Sequence, residues 1–125
     1  MNVKIDTREK IHAITINEPT LAANMTAELD TCLDKAQQNG VKHVVLILKD
    51  IKSMDNAAAE YLVKTQQNFY ERNASFVICE LSPELEKQLD ESGLLELMNT
   101  TPTQSEAADI VQMEEIEREL LDEGE

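Results

Sequence analysis

Between Val41 and Leu48 the chain carries five aliphatic residues in succession, Val44, Val45, Leu46, Ile47 and Leu48. A stretch apolar on both faces is stable only where both are covered, so it reads as a central, parallel strand over 42–48, buried from two sides. It leads into Lys52-Ser53-Met54-Asp55-Asn56-Ala57-Ala58-Ala59-Glu60. There Asp55 is suited to accept hydrogen bonds from the free N–H groups of a helix start, and three alanines favour helix. Ala58, Ala59, Leu62, Val63 and Phe69 sit at helical spacing, which predicts a helix over 55–72 packed back onto the sheet. Open α/β sheets place their sites where a strand end, a tight turn and a helix N-terminus meet. The candidate site residues are therefore Ser53, Met54, Asp55, Asn56, Ala57, Ala58 and Glu60.

Val3, Ile5 and Thr7 alternate with Lys4, Asp6 and Arg8, and Ile14 and Ile16 alternate within Ile11 to Ile16. The period of two and the tight Glu9-Lys10 junction predict an antiparallel hairpin, ended by Asn17-Glu18-Pro19-Thr20. Met25, Leu29, Cys32, Leu33 and Ala36 predict an amphipathic helix from about Asn24 to Asn39, closed by Gly40. Ser75-Phe76-Val77-Ile78-Cys79 reads as another buried strand, making a right-handed strand–helix–strand crossover. Ser82-Pro83-Glu84 starts a third helix that Gly93 stops. Leu94, Leu95, Leu97 and Met98 can supply a short edge strand or a helical extension. Thr103-Gln104-Ser105-Glu106 has the pattern of a capping box, opening a last helix from Thr103 to about Leu121 that carries Ala107, Ile110, Val111, Met113, Ile116 and Leu120, of which Ala107, Ile110, Val111 and, at the far end, Met113 are expected to pack on the domain. The expected fold is α/β: one domain over 1–125, with a mixed sheet of about five strands and about four helices.

The formal charge is −14, from 25 acidic and 11 basic residues. Residues 103–125 hold nine acids and one base, Arg118, a net of −8. Such a balance disfavours nucleic acid and anionic lipid as partners. Like charges at Glu115 and Glu119, and acids at a helix C-terminus, predict a frayed acidic end over 117–125 whose removal costs little. No apolar run approaches the roughly 18 residues of a membrane span. Residues 1–6 lack the apolar core of a signal peptide, so a cytoplasmic location is expected.

Chemistry is thinly represented. His12 and His43 stand alone in predicted strands, and Cys32 and Cys79 make no CxxC pair, so no metal site and no cofactor is expected. Three glycines cannot build a phosphate-binding glycine loop. Asp50 and Asp55 read better as a loop acid and a helix cap than as a catalytic pair. A non-enzyme is the expectation.

In its element order the chain resembles the STAS domain, the family of anti-sigma factor antagonists. Asp50-Ile51-Lys52-Ser53-Met54-Asp55 resembles the family's apolar strand ending in an aspartate-led turn, and the motif Asp-Ser-Ser/Thr-Gly reads here Asp55-Asn56-Ala57-Ala58. Cys79-Glu80-Leu81-Ser82-Pro83, followed by Leu89-Asp90-Glu91-Ser92-Gly93-Leu94, resembles the second signature, in which a helix ends in Ser-Gly-Leu. The resemblance implies a non-catalytic, partner-switching protein–protein module in transcription regulation, bound by an anti-sigma factor or kinase-like protein that phosphorylates the motif serine or threonine to end binding. That position is Ala57 here, and a methyl group cannot accept phosphate. Asn56 is equally inert, leaving Ser53 or Thr65 as the hydroxyls for a relocated switch. The docking surface, centred on Ser53 to Glu60 with the turn at Asn17 to Ala23, is then expected to stay open. The reading from a different class is a sensor that holds an anionic metabolite or nucleotide on the same helix N-terminus.

Overall fold

A computed structural model describes residues 1–38 and 40–123. Strands β1 (Val3–Arg8) and β2 (Ile11–Ile16) form the antiparallel hairpin, and both turn residues lie at positive φ, 49° at Glu9 and 73° at Lys10. This is the geometry of a two-residue loop whose twist matches that of the flanking strands. After β3 (Thr20–Leu21) and a 3-10 turn at Ala23–Met25 come α1 (Thr26–Gln37) and β4 (His43–Ile47). Then follow β5 (Ser53–Met54), α2 (Asn56–Glu71), β6 (Phe76–Cys79), α3 (Pro83–Glu91), β7 (Thr100–Thr101) and α4 (Gln104–Glu123). The main sheet has the order β1-β2-β4-β6-β7, parallel except for the hairpin.

All five residues of β4 are buried, as a strand apolar on both faces requires. Val44 and Leu46 point to one face with Ile14, Phe76 and Ile78, where Leu29 and Leu33 of α1, Ala58, Leu62 and Phe69 of α2, and Leu85 and Leu89 of α3 close the core. Val45 and Ile47 point to the other face with Val77 and Cys79, and there Ala107 and Val111 of α4 cover them. The apolar run is thus the middle layer of a helix–sheet–helix sandwich.

The segment after α3 takes the helical of its two readings. Gly93, at φ 80°, ends α3 with its N–H on the Asp90 carbonyl (3.1 Å), and the Leu94 N–H reaches the Leu89 carbonyl (3.1 Å). Leu95–Leu97 is a 3-10 turn that tucks Leu94 and Leu95 against the core and leaves Leu97 exposed. The edge strand is instead Thr100–Thr101, whose short polar residues pair with Ile78 and Cys79.

Helix α4 is started by one half of the expected capping box, the Thr103 hydroxyl accepting from the Glu106 N–H (3.1 Å). Farther along, polar contacts hold it to the sheet. Buried His43 accepts the Ser75 N–H on Nδ1 (3.0 Å), so its Nε2–H donates to the Glu115 carboxylate. Arg118 donates to the Ser75 hydroxyl (2.9 Å) and lies over the Tyr70 ring, while Tyr70 donates to Glu114 (2.7 Å) and accepts from Asn99 (2.8 Å). The lone base of the acidic end is therefore held against Ser75 and Tyr70, contacts that a deletion of 117–125 would remove. α4 is continuous to Glu123; the expected fraying concerns opening in solution, and residues 124 and 125 lie outside the described residues.

Burial lowers the pKa of His43 despite the opposing pull of Glu115. Burial alone would raise the Glu115 carboxyl, but the hydrogen bond from His43 and the charges of Lys42 and Arg118 bring it below its ordinary value. An unfolded chain takes up a proton at His43 near 6.5 while the folded one resists, so stability falls as pH drops through that value. The Glu115 contribution is present above 4.5 and is lost as pH falls further, in the same direction. Melts followed by circular dichroism should show the midpoint falling between about pH 7 and 5. His43→Gln should flatten that slope, and a wild-type slope as flat as the variant's would remove His43 from the balance.

Candidate functional site

Beyond the C-terminal end of β4 the chain has to turn without exposing its apolar anchors. Ile51 and Met54 are buried, whereas Lys52, Ser53 and Asp55 between and after them are exposed. Two partners fix this loop. On one side β5 pairs in parallel with β3, in register Thr20 with Ser53 and Leu21 with Met54. The Lys52 N–H donates to the Pro19 carbonyl (2.8 Å) and the Asp55 N–H to the Leu21 carbonyl (3.1 Å). On the other side α3 clamps it: Ser82 donates to the Ile51 carbonyl (2.8 Å), and the Gln88 amide spans Met54, giving to its carbonyl (2.5 Å) and accepting from its N–H (3.2 Å).

Asp55 occupies the N-cap position of α2 in extended conformation, one residue before the helix, but its side chain makes no bond to the first turn. Its Oδ2 accepts instead from the N–H of Ala23 (3.0 Å), tying the loop to the segment before α1. The expected capping partner is corrected. The carboxylate satisfies an orphan donor of another element, and the exposed first turn of α2 at Asn56 and Ala57 is left without a side-chain cap.

The structure thus joins the turn Asn17–Ala23 and the loop 49–57 into one rim at the C-terminal edge of the sheet. Asn17 donates to Asp50 (2.9 Å), and the hydroxyls of Thr20 and Ser53 are 3.2 Å apart. Of the residues singled out from sequence, Ser53, Asp55, Asn56, Ala57 and Glu60 lie on its surface. Met54 and Ala58 are buried beneath it and hold it in place. Thr65 is 7% exposed on the packed face of α2, so its hydroxyl is shielded where that of Ser53 is open. Gln88 and Ser82, which shape the loop, carry no signal in sequence that separates them from any polar residue at a helix start or on a helix face.

Elsewhere the titratable groups serve packing. His12 donates from Nε2 to the Ala36 carbonyl (2.7 Å) and accepts on Nδ1 from Thr7 (2.6 Å). Cys79 is buried and its thiol is pushed up to about 12, chiefly by that burial, which makes it inert at neutral pH. Among the described residues no three His, Cys, Asp or Glu side chains are grouped to hold a metal, and no helix is long and apolar enough to cross a membrane.

The chain matches the family described as STAS domain over residues 2–107. Solved structures share the fold. An anti-sigma-factor antagonist (STAS) domain protein from Planctomyces limnophilus is 18% identical, with TM-score 0.71 over 88% of this chain and 97% of that one. The anti-sigma factor antagonist SpoIIAA in its unphosphorylated form is 16% identical, with TM-score 0.69 over 89% of this chain and 96% of that one; the Bacillus protein in its phosphorylated form also matches, at 0.62. The murine anion transporter Slc26a9 is 14% identical, with TM-score 0.70 over 86% of this chain and 18% of the transporter.

Proposed function

The chain belongs to the STAS domain family, and we propose that it is a non-catalytic, cytoplasmic regulatory module that docks an anti-sigma factor or kinase-like protein on the rim formed by Ser53 to Glu60 and the turn Asn17 to Ala23. The observation that carries this reading is the exposure of Ala57 on the uncapped first turn of α2, beside a loop clamped by β3 and α3. A rigid rim with its first-turn N–H groups unsatisfied suits a partner's acceptors at low ordering cost. SpoIIAA occurs in unphosphorylated and phosphorylated forms. A methyl group at Ala57 removes phosphate as a means of ending the contact there, so the rim stays competent to bind.

The ligand-sensor reading lacks a comparable observation at the rim. Clefts of about 400 Å³ and 310 Å³ lie elsewhere, between the hairpin and α4 and between α1 and α2. The test is capture of partners by the intact protein from extract of its native cell, with cross-links mapped by mass spectrometry. An ATP-binding regulatory protein linked to the rim is the expected recovery, and incubation with that protein and ATP should leave Asn56 and Ala57 unmodified. Cross-links that avoid the rim, or phosphate on Ser53 coupled to release, would overturn the reading.

A further inference from the structure

Helix α4 has a second face that the fold does not use. Ala107 and Val111 are buried, and Glu114, Glu115 and Arg118 continue that side through their contacts with Tyr70, His43 and Ser75. At about 100° per residue these contacts fix the helix's rotation and turn Met113, Ile116 and Leu120 outward. They are 59%, 55% and 61% exposed. Singly exposed apolar residues are ordinary, but three at spacings of three and four form one seam, the pattern by which a helix meets another helix.

The surroundings of the seam say what it fits. Asp109, Glu117 and Glu119 beside it are exposed, and the one base of α4, Arg118, is turned inward. A seam bordered by acids and the neutral Gln112, with no base beside it among the described residues, complements a helix whose own seam is bordered by Lys or Arg. A second copy of this chain would instead set acid against acid between two molecules of charge −14 each. The location is also separate from the rim. Glu115 and Arg118 meet His43 and Ser75, at the N-terminal ends of β4 and β6, whereas the rim lies beyond the C-terminal end of β4.

We propose that the outer face of α4, centred on Met113, Ile116 and Leu120, is a docking surface for a basic amphipathic helix of a partner protein, separate from the rim. The full chain is titrated, by fluorescence anisotropy at low and physiological salt, with two labelled synthetic peptides of identical Leu and Lys content. One carries Leu at heptad a and d positions between lysines; the other is scrambled to abolish the seam. The patterned peptide should bind at least about tenfold more tightly than the scrambled one, and binding should weaken with salt without vanishing. The Ile116→Gln, Leu120→Gln double variant should lose at least about tenfold while its melting temperature is unchanged, because both side chains are exposed. Ala57→Glu should leave peptide affinity unaltered, whatever it does at the rim. Equal binding of both peptides, or undiminished binding by the double variant, would overturn the proposal. So would a dimer in sedimentation that the double variant dissociates, because it gives the face to a second copy.

Discussion

Ala57→Glu is expected to weaken capture of the rim's partner by at least about tenfold, or about 1.4 kcal/mol, while the fold stays intact. The side chain at this position is exposed on the first turn of α2. A docked partner would have to strip water from the new carboxylate, and an unpaired charge buried in this way costs several kcal/mol. Stability should change little. An acid in the first helical turn gains about 0.3–1 kcal/mol from the helix dipole, against a few tenths lost in helix propensity relative to alanine. The neutral Ala57→Gln variant separates charge from size. Binding assays that find both variants weakened equally would assign the effect to bulk, and wild-type affinity for Ala57→Glu would move the interface off the rim.

Leu46→Ala is expected to have the largest effect on stability, a loss of about 3 kcal/mol and of about 10 °C in melting temperature. Leu46 is fully buried at the centre of β4, in register with Ile14 on one neighbour and Ile78 on the other. The side chains of α1 and α2 close the same core from above, so truncation leaves a cavity that rigid neighbours fill only partly. A loss of this size is a large fraction of the roughly 5–15 kcal/mol available to a domain. Ile5→Ala is the comparison, since Ile5 on the outer strand is 45% exposed and should cost under about 1 kcal/mol. Denaturant unfolding of both variants measures the difference, and a Leu46→Ala loss below that of Ile5→Ala would contradict the two-sided burial of β4.

The main elements were legible because each is specified by residues close together in the chain. Five consecutive aliphatic residues announce a strand covered on both faces, alternation announces the hairpin, and Ser82-Pro83 announces a helix start that the structure completes with the Leu85 N–H on the Ser82 hydroxyl. Asp55 marked the start of α2 for the same reason, since an extended residue that can cap is a local property. The pairing of β3 with β5 was not legible. Two residues on each side hold no period, and Asn17-Glu18-Pro19-Thr20 reads as a turn whether or not another segment lies against it.

The partners of polar groups were decided by tertiary structure alone. Asp55 could satisfy its own helix or a neighbour, and only the approach of Ala23, 32 positions earlier, settles it in the neighbour's favour. His43 and Glu115 are 72 positions apart, and the spacing that put Met113 on the domain with Ala107, Ile110 and Val111 is corrected by the structure, which packs those three and leaves Met113 exposed. The apolar periodicity that determines an element repeats within two helical turns. A hydrogen bond or ion pair depends on direction and on which long-range neighbour arrives, and that is settled only when the hydrophobic layers have closed and brought distant donors and acceptors within about 3 Å of one another.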